Sequence, residues 1–289
     1  MSRPQDPKDI RTKLSFYDDA ADLSLAYVIE IMMTLQAYKE GLSIVGGWAP
    51  YFLLEQYKQE GNQFLHVGSI DIDIAVNPEV IDGTQYARLA ELLEGRGYAQ
   101  RQESPYTYRK VVTTNDNREL IIDIDFLAPE EGGTSPRHRN QRVQNDFLAR
   151  KARGAELAFE HKFDFTLSGK LPNGADATVS FYVADIVAMM AMKSYVLGNR
   201  YKEKDAYDIY SMVLHYKDGV SSVAEELKPF ITQDPFPEGV ATLKTYFESE
   251  TAAGASFVAD FYGETGDERA ARMQEAYLQI QRLLELLEV

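Results

Sequence analysis

The chain contains no cysteine. That excludes disulfides, thiolate zinc centres and a cysteine nucleophile. Positive charge is scarce: 30 Lys and Arg stand against 45 Asp and Glu, a formal net charge of −15. Such a balance argues against a basic sheath that coats nucleic acid non-specifically, although a local basic groove remains open. Long apolar runs are also missing. The most apolar later stretch, Val183 to Met192, is short and carries Asp185, which suits a core helix better than a membrane span. Met1 to Lys13 is polar and lacks the apolar centre of a secretory signal, so a cytoplasmic protein with no membrane partner is expected. Neither a glycine–lysine phosphate loop, a GxGxxG turn, an HExxH helix nor a serine elbow occurs, leaving ATPase, dehydrogenase and hydrolase classes unsupported. What remains is a globular composition, 45% hydrophobic and 26% charged over 289 residues, enough chain for one large domain or two ordinary ones.

Periodicity divides the chain into an α+β part and a helical part. Asp18 to Glu40 reads as an amphipathic helix, with Leu25, Val28, Ile29, Met32 and Leu35 at helical spacing. Leu42 to Val45 is a short strand ending at Gly46-Gly47, and a helix is expected from Trp48 to about Gln59. Ser69 to Val76 alternates Ile with Asp, the pattern of a half-buried strand. A helix over Thr84 to Glu94 follows. Tyr106 to Thr114 and Glu119 to Leu127 form an expected hairpin across Asn115-Asp116-Asn117. Pro129 to about Asn145 reads as a loop. Lys162 to Ser168 and Ala177 to Val183 read as a second hairpin, turned by Pro172-Asn173-Gly174. Beyond it the signal is helical: Ala184 to Leu197, Lys204 to His215, a middle group to about Tyr262, and Asp267 to Val289. The last carries Met273, Tyr277, Ile280, Leu284 and Leu287 on one face. The expected boundary puts an α+β domain at 1–183 and a helical domain at 184–289.

The informative segment is Gly68-Ser69-Ile70-Asp71-Ile72-Asp73. Residues two apart on a strand project from one face, so Asp71 and Asp73 point the same way and repel. A divalent cation relieves that repulsion, and hard oxygen donors select Mg²⁺ or Mn²⁺ over zinc. Alone, Asp-x-Asp is more often a solvated sheet edge. Upstream, however, Val45-Gly46-Gly47-Trp48-Ala49 turns a strand into a helix start, where free N–H groups can bind phosphate. An ordinary tight turn is the blander reading of those two glycines. Downstream, Ile121-Ile122-Asp123-Ile124-Asp125-Phe126-Leu127 is a second apolar strand with same-face aspartates. If it pairs beside the first, a third carboxylate joins and the set suits in-line displacement at phosphorus.

In that order, Gly-Gly-Trp-Ala, Gly-Ser-x-Asp-x-Asp and Asp-x-Asp-Phe-Leu resemble the DNA polymerase β-type nucleotidyltransferase superfamily, and within it the AbiEii/AbiGii toxin-like branch. The resemblance extends to Met190-Ala191-Met192-Lys193, Arg200 and Lys204-Asp205-Ala206-Tyr207-Asp208, covering roughly Leu42 to Met212. It implies a mixed β-sheet flanked by helices and followed by a helical domain. It also implies transfer of an NMP from an NTP to an acceptor hydroxyl, in an RNA or tRNA end or a protein, with loss of pyrophosphate. Asp71 and Asp73 would then hold metal, as would Asp125, which is preferred to its alternative Asp123. Gly46, Gly47, Ser69 and Lys193 would contact the triphosphate, and Asp205 would act in catalysis or orient Lys193. A toxin paired with an antitoxin protein, or a phage-defence role, follows from the same branch; a catalytically silent nucleotide-binding scaffold is the competing class. Trp48 and Pro50 depart from the small-then-aliphatic residues usual after the glycines, and Trp48 could narrow the pocket or stack on a base.

Several of these residues have plainer readings. A lysine on an apolar helix usually snorkels to solvent. Asp205 and Asp208 share a helix face and could simply complement a helix start. The basic run Arg137-His138-Arg139-Asn140-Gln141-Arg142 reads as a solvated loop, with a clamp on acceptor phosphates as the alternative. His66, His138, His161 and His215 lack metal-ligand spacing and read as structural or surface residues.

Overall fold

Four apolar residues, Leu42–Val45, form the first strand, β1, and all four are buried. The computed structural model describes residues 12–13, 18–81, 88–114, 117–130, 139–200 and 202–289. Helix α1 (Asp18–Thr34) precedes β1 and ends six residues earlier than the periodicity predicts; Gln36–Gly41 tightens into a 3-10 turn instead. Helix α2 (Trp48–Gln56) follows the glycine turn. Strand β2 (Ile72–Val76) is shorter than expected, because Ser69, Ile70 and Asp71 lie ahead of the ladder. Next come α3 (Leu89–Glu94), β3 (Ala99–Gln100), β4 (Thr107–Thr113) and β5 (Glu119–Pro129). The front of the helix expected from Thr84 and the Asn115-Asp116 turn fall outside the described residues.

The expected loop to Asn145 is corrected: β6 (Asn140–Gln144) and β7 (Phe147–Ala152) form an antiparallel pair. Their charged and amide side chains conceal the strand pattern, and burial of Gln144, Phe147 and Ala149 fixes it. Arg137 and His138 lie outside the described residues. Helix α4 (Leu157–Glu160), β8 (Lys162–Lys170) and β9 (Asp176–Ala184) complete the sheet region.

Among the described residues the sheet has nine strands, with the path β3-β4-β5-β2-β1-β9-β8 and the β6–β7 pair attached to β5. It is mixed: β2 runs parallel to β5, β7 parallel to β5 and β9 parallel to β1, while β1–β2, β4–β5 and β8–β9 are antiparallel. Helix α1 packs on β8, β9 and β5, and α4 on β1 and β9. Apolar positions of the central strands, among them Ile44, Ile72, Ile74, Ile122, Ile124 and Phe126, are fully buried.

The helices that follow are α5 (Ile186–Asn199), α6 (Glu203–His215), α7 (Val220–Leu227), α8 (Phe236–Tyr246), α9 (Ala253–Tyr262) and α10 (Gly266–Leu287). Asp185 starts α5 by accepting hydrogen bonds from the N–H groups of Val187 and Ala188, an N-cap typical of aspartate. Of the apolar face read on α10, Ile280, Leu284 and Leu287 are buried, joined by Ala276 and Leu283. The fold is α+β: a mixed sheet with flanking helices, followed by a helical region.

The chain separates into two compact units that are discontinuous in sequence. The first takes residues 18–49 with Gly68–Ala184; the second takes Pro50–Val67 with Asp185–Val289. Most of α2 and the segment after it therefore belong with the later helices.

Candidate functional site

In the first unit, two neighbouring parallel strands set two carboxylates side by side. The β2–β5 register pairs Ile72 with Ile124, Asp73 with Asp125 and Ile74 with Phe126. Because the isoleucines and phenylalanine are buried, strand alternation sends Asp73 and Asp125 to the opposite face, where both are half-buried. The pairing is electrostatically unfavourable. Burial and the adjacent Asp73 charge push the Asp125 carboxyl up to about 6.

Antiparallel β4 continues the row. Thr107 is the register partner of Asp125, and its hydroxyl donates to Asp125 Oδ1 at 2.5 Å. One pair along, Arg109 faces Asp123 and clamps it with two hydrogen bonds of 2.7 and 2.6 Å. Arg101 approaches the same carboxylate at 3.8 Å. Asp123 is thus neutralised by a bidentate guanidinium, whereas Asp125 takes a hydroxyl donor and feels the Arg150 charge without a hydrogen bond from it. Of the two candidates for third carboxylate, Asp125 is the one placed beside Asp73.

The glycine turn completes this edge. Gly46, next to the Val45 that pairs with Asp73, has φ +64°, and a Cβ there would run into the Asp73 carboxylate. Glycine is required on both counts, backbone conformation and close approach. Gly47 and Ser69 are buried next to this edge in sequence. Asp71, half-buried, stands just ahead of β2, where the Ser24 hydroxyl of α1 fastens the preceding Ile70 carbonyl at 2.9 Å. Among the described residues, no group of three or more His, Asp or Glu side chains is gathered closely enough to cage a metal ion. The structure brings Asp73 and Asp125 together in register, and Asp71 precedes Asp73 by two residues on the approach to β2. Trp48 is 1% exposed, with its ring against Gly68, so it is packed away from any base.

Lys193, Asp205 and Asp208 lie in the second unit, in a different environment. The Lys193 ammonium bridges Asp205 at 2.8 Å and Asp208 at 2.6 Å, and all three are buried. It neither snorkels to solvent nor stands free. Arg200 adds two hydrogen bonds to Asp205, and Lys204 meets Asp208 at 2.8 Å. His66 Nε2 completes the shell of Asp208 at 3.1 Å. Burial alone would raise both carboxyls, but the surrounding cations overcome it and hold both well below the usual range. Burial keeps His66 neutral, pushing it down to about 4 despite Asp208. His66 belongs to a short strap along α6. Phe64 stacks on His215 at 3.7 Å, and the Val67 N–H donates to the Tyr207 hydroxyl at 3.3 Å. Sequence spacing could not show this role for His66, because its partner is 142 residues away.

The class defined so far is an α+β protein whose mixed sheet carries a strained carboxylate pair beside a glycine turn. No family model matches the chain, and no curated relative matches it. Among solved structures it is similar to JHP933 from Helicobacter pylori, at 14% identity and a TM-score of 0.43 over 94% of each chain. It is also similar to an H. pylori protein provisionally identified as a nucleotidyltransferase, at 14% identity and a TM-score of 0.34, covering 90% of this chain and 97% of that one. Likeness at this level transfers neither a residue role nor an activity.

Proposed function

We propose that the chain is a metal-dependent nucleotidyltransferase, moving an NMP from an NTP to an acceptor hydroxyl with release of pyrophosphate. The observation that carries this reading is the in-register Asp73–Asp125 pair against the Gly46 turn. Two adjacent carboxylates without an intervening cation are costly, and their hard oxygens suit Mg²⁺ or Mn²⁺. Mg²⁺ is commonly held by one or two carboxylates, with water and substrate phosphates completing its shell. Such an ion would neutralise charge building on the phosphoryl oxygens and make the acceptor hydroxyl a better nucleophile.

The chain's own groups have defined tasks. Asp73 and Asp125 supply the donors, with Asp71 as an outer carboxylate. Thr107 holds Asp125 in orientation. The backbone N–H groups at Gly46 and Gly47 and the Ser69 hydroxyl are the proposed triphosphate contacts. The acceptor hydroxyl gives up its proton to solvent and attacks the α-phosphorus, the bond to the bridging α–β oxygen breaks, and the electron pair leaves with pyrophosphate. Lys193 and Asp205 are left out of this reading, because the Lys193 charge is already matched by two buried carboxylates. The acceptor is taken to be an RNA end, such as that of tRNA, or a protein hydroxyl.

Isothermal titration of each NTP with Mg²⁺ or Mn²⁺ tests the reading. Binding that needs the metal and falls at least tenfold in Asp73→Asn and Asp125→Asn is expected. Equal binding by all three proteins, with or without metal, would overturn it. A toxin role adds a second expectation: growth arrest by the wild type, relieved by Asp73→Asn and by a co-expressed antitoxin.

A further inference from the structure

We propose that Arg150 is a phosphate-binding residue of this sheet face, with Tyr106 as its aromatic shelf. Register places it. The lower part of one edge of β5 pairs with β4 up to Asp125, and β7 continues the pairing from Leu127, which is opposite Arg150. Leu127 shares its face with Asp125, so Arg150 projects from the face that carries the carboxylate pair. Tyr106 is the residue before β4, at the junction of the two partner strands, and the Arg150 guanidinium lies over its ring at 5.4 Å.

The other two cations here are engaged, since Arg109 and Arg101 both turn to Asp123. Arg150 differs from them. Among the described residues it makes no close ion pair: the Asp125 charge is felt by it only at longer range, and its buried Nε has no hydrogen-bond partner. A buried guanidinium N–H without an acceptor is costly, and a planar five-donor fork matches phosphate oxygens. Stacking on tyrosine holds the fork flat while leaving its edge available. The ligand chemistry is a phosphate group, from either the triphosphate of an NTP or the backbone of a nucleic-acid acceptor.

The inference rests on the proposed function for its place in a reaction, but not for its test. Tripolyphosphate without divalent metal is titrated first, because it reads Arg150 independently of the carboxylates' metal. Arg150→Gln is expected to weaken binding at least tenfold and Arg150→Lys several-fold, while Asp73→Asn does not weaken it. Then NTP with Mn²⁺ and a short single-stranded oligonucleotide are compared on the same variants. Loss confined to the first assigns the triphosphate, and loss confined to the second assigns the acceptor backbone. If Arg150→Gln melts early, the same titrations on Tyr106→Leu, which removes only the shelf, are expected to show a several-fold loss. Affinities within twofold of wild type for all three ligands in the folded variants would overturn the proposal. If tripolyphosphate binding depends on Arg150 while NTP binding ignores both metal and Asp73, Arg150 stands and the nucleotidyltransferase reading falls.

Discussion

Each unit sets two aspartates close together, and the two solve the resulting electrostatics in opposite ways. In the second unit, Asp205 and Asp208 are buried, and Lys193, Lys204, Arg200 and neutral His66 surround them with donors. Their carboxyls are held far down, and the charges are matched from within the chain. In the first unit, Asp73 and Asp125 are only half-buried; Arg109 and Arg101 turn to Asp123, and Asp125 is pushed up even with the Arg150 charge tempering it. Mutual repulsion left in place by a fold with arginines close by is the feature on which the proposed metal site rests. Matched charge reads as architecture and unmatched charge as chemistry.

Removing one member from each cluster should separate the two cases. Lys193→Ala leaves two buried carboxylates short of their shared ammonium and should cost about 3–5 kcal/mol in urea melts. A cost below about 1 kcal/mol would mean the cluster is not structural. Asp125→Asn should do the reverse. Its folded carboxyl titrates above the unfolded value, so the folded state holds the proton more tightly. Stability from this group is present below about pH 4, declines as pH rises through about 6, and stays lost above that. Removing the charge should stabilise the protein by about 1–3 kcal/mol at pH 8 and by little at pH 4.

How much of this contrast can be read from sequence depends on range. Ile-Asp alternation locates β2 and β5, and the glycine pair marks the turn, because these signals lie within a few residues. The choice between Asp123 and Asp125 is different in kind. Both lie on one strand face, and only the registers separate them: β2 sets Asp73 beside Asp125, while β4 delivers Arg109 to Asp123 and Thr107 to Asp125. Strands β6 and β7 escape notice for a related reason: Asn, Gln and Arg dominate their outward positions. The Lys193 cluster is legible as a set of residues but not as a closed network, since His66 arrives from another part of the chain.

Two smaller effects sharpen the comparison. His66 titrates below its unfolded value when folded, so its contribution is present above about pH 6.5 and is lost as pH falls toward 4. Wild type should therefore lose about 2 kcal/mol more than His66→Gln between pH 7.5 and 4.5, measured by paired melts. Parallel curves would show that His66 is not buried neutral. Thr107→Val removes one hydroxyl donor from Asp125 and should cost about 1 kcal/mol at pH 8. It should also move the Asp125 titration, followed by carboxyl NMR, further upward; an unchanged midpoint would mean that Thr107 does not hold the carboxylate.

Trp48 is the chain's one tryptophan, and its ring lies against Gly68. Indole emission therefore reports on a single locality, the turn that leads toward the acidic strand. Its sealed setting should give a blue-shifted spectrum that moves red when this locality opens. The molecule thus carries its own optical gauge, and the ligand proposed for the neighbouring glycine turn can be tested for without any attached dye.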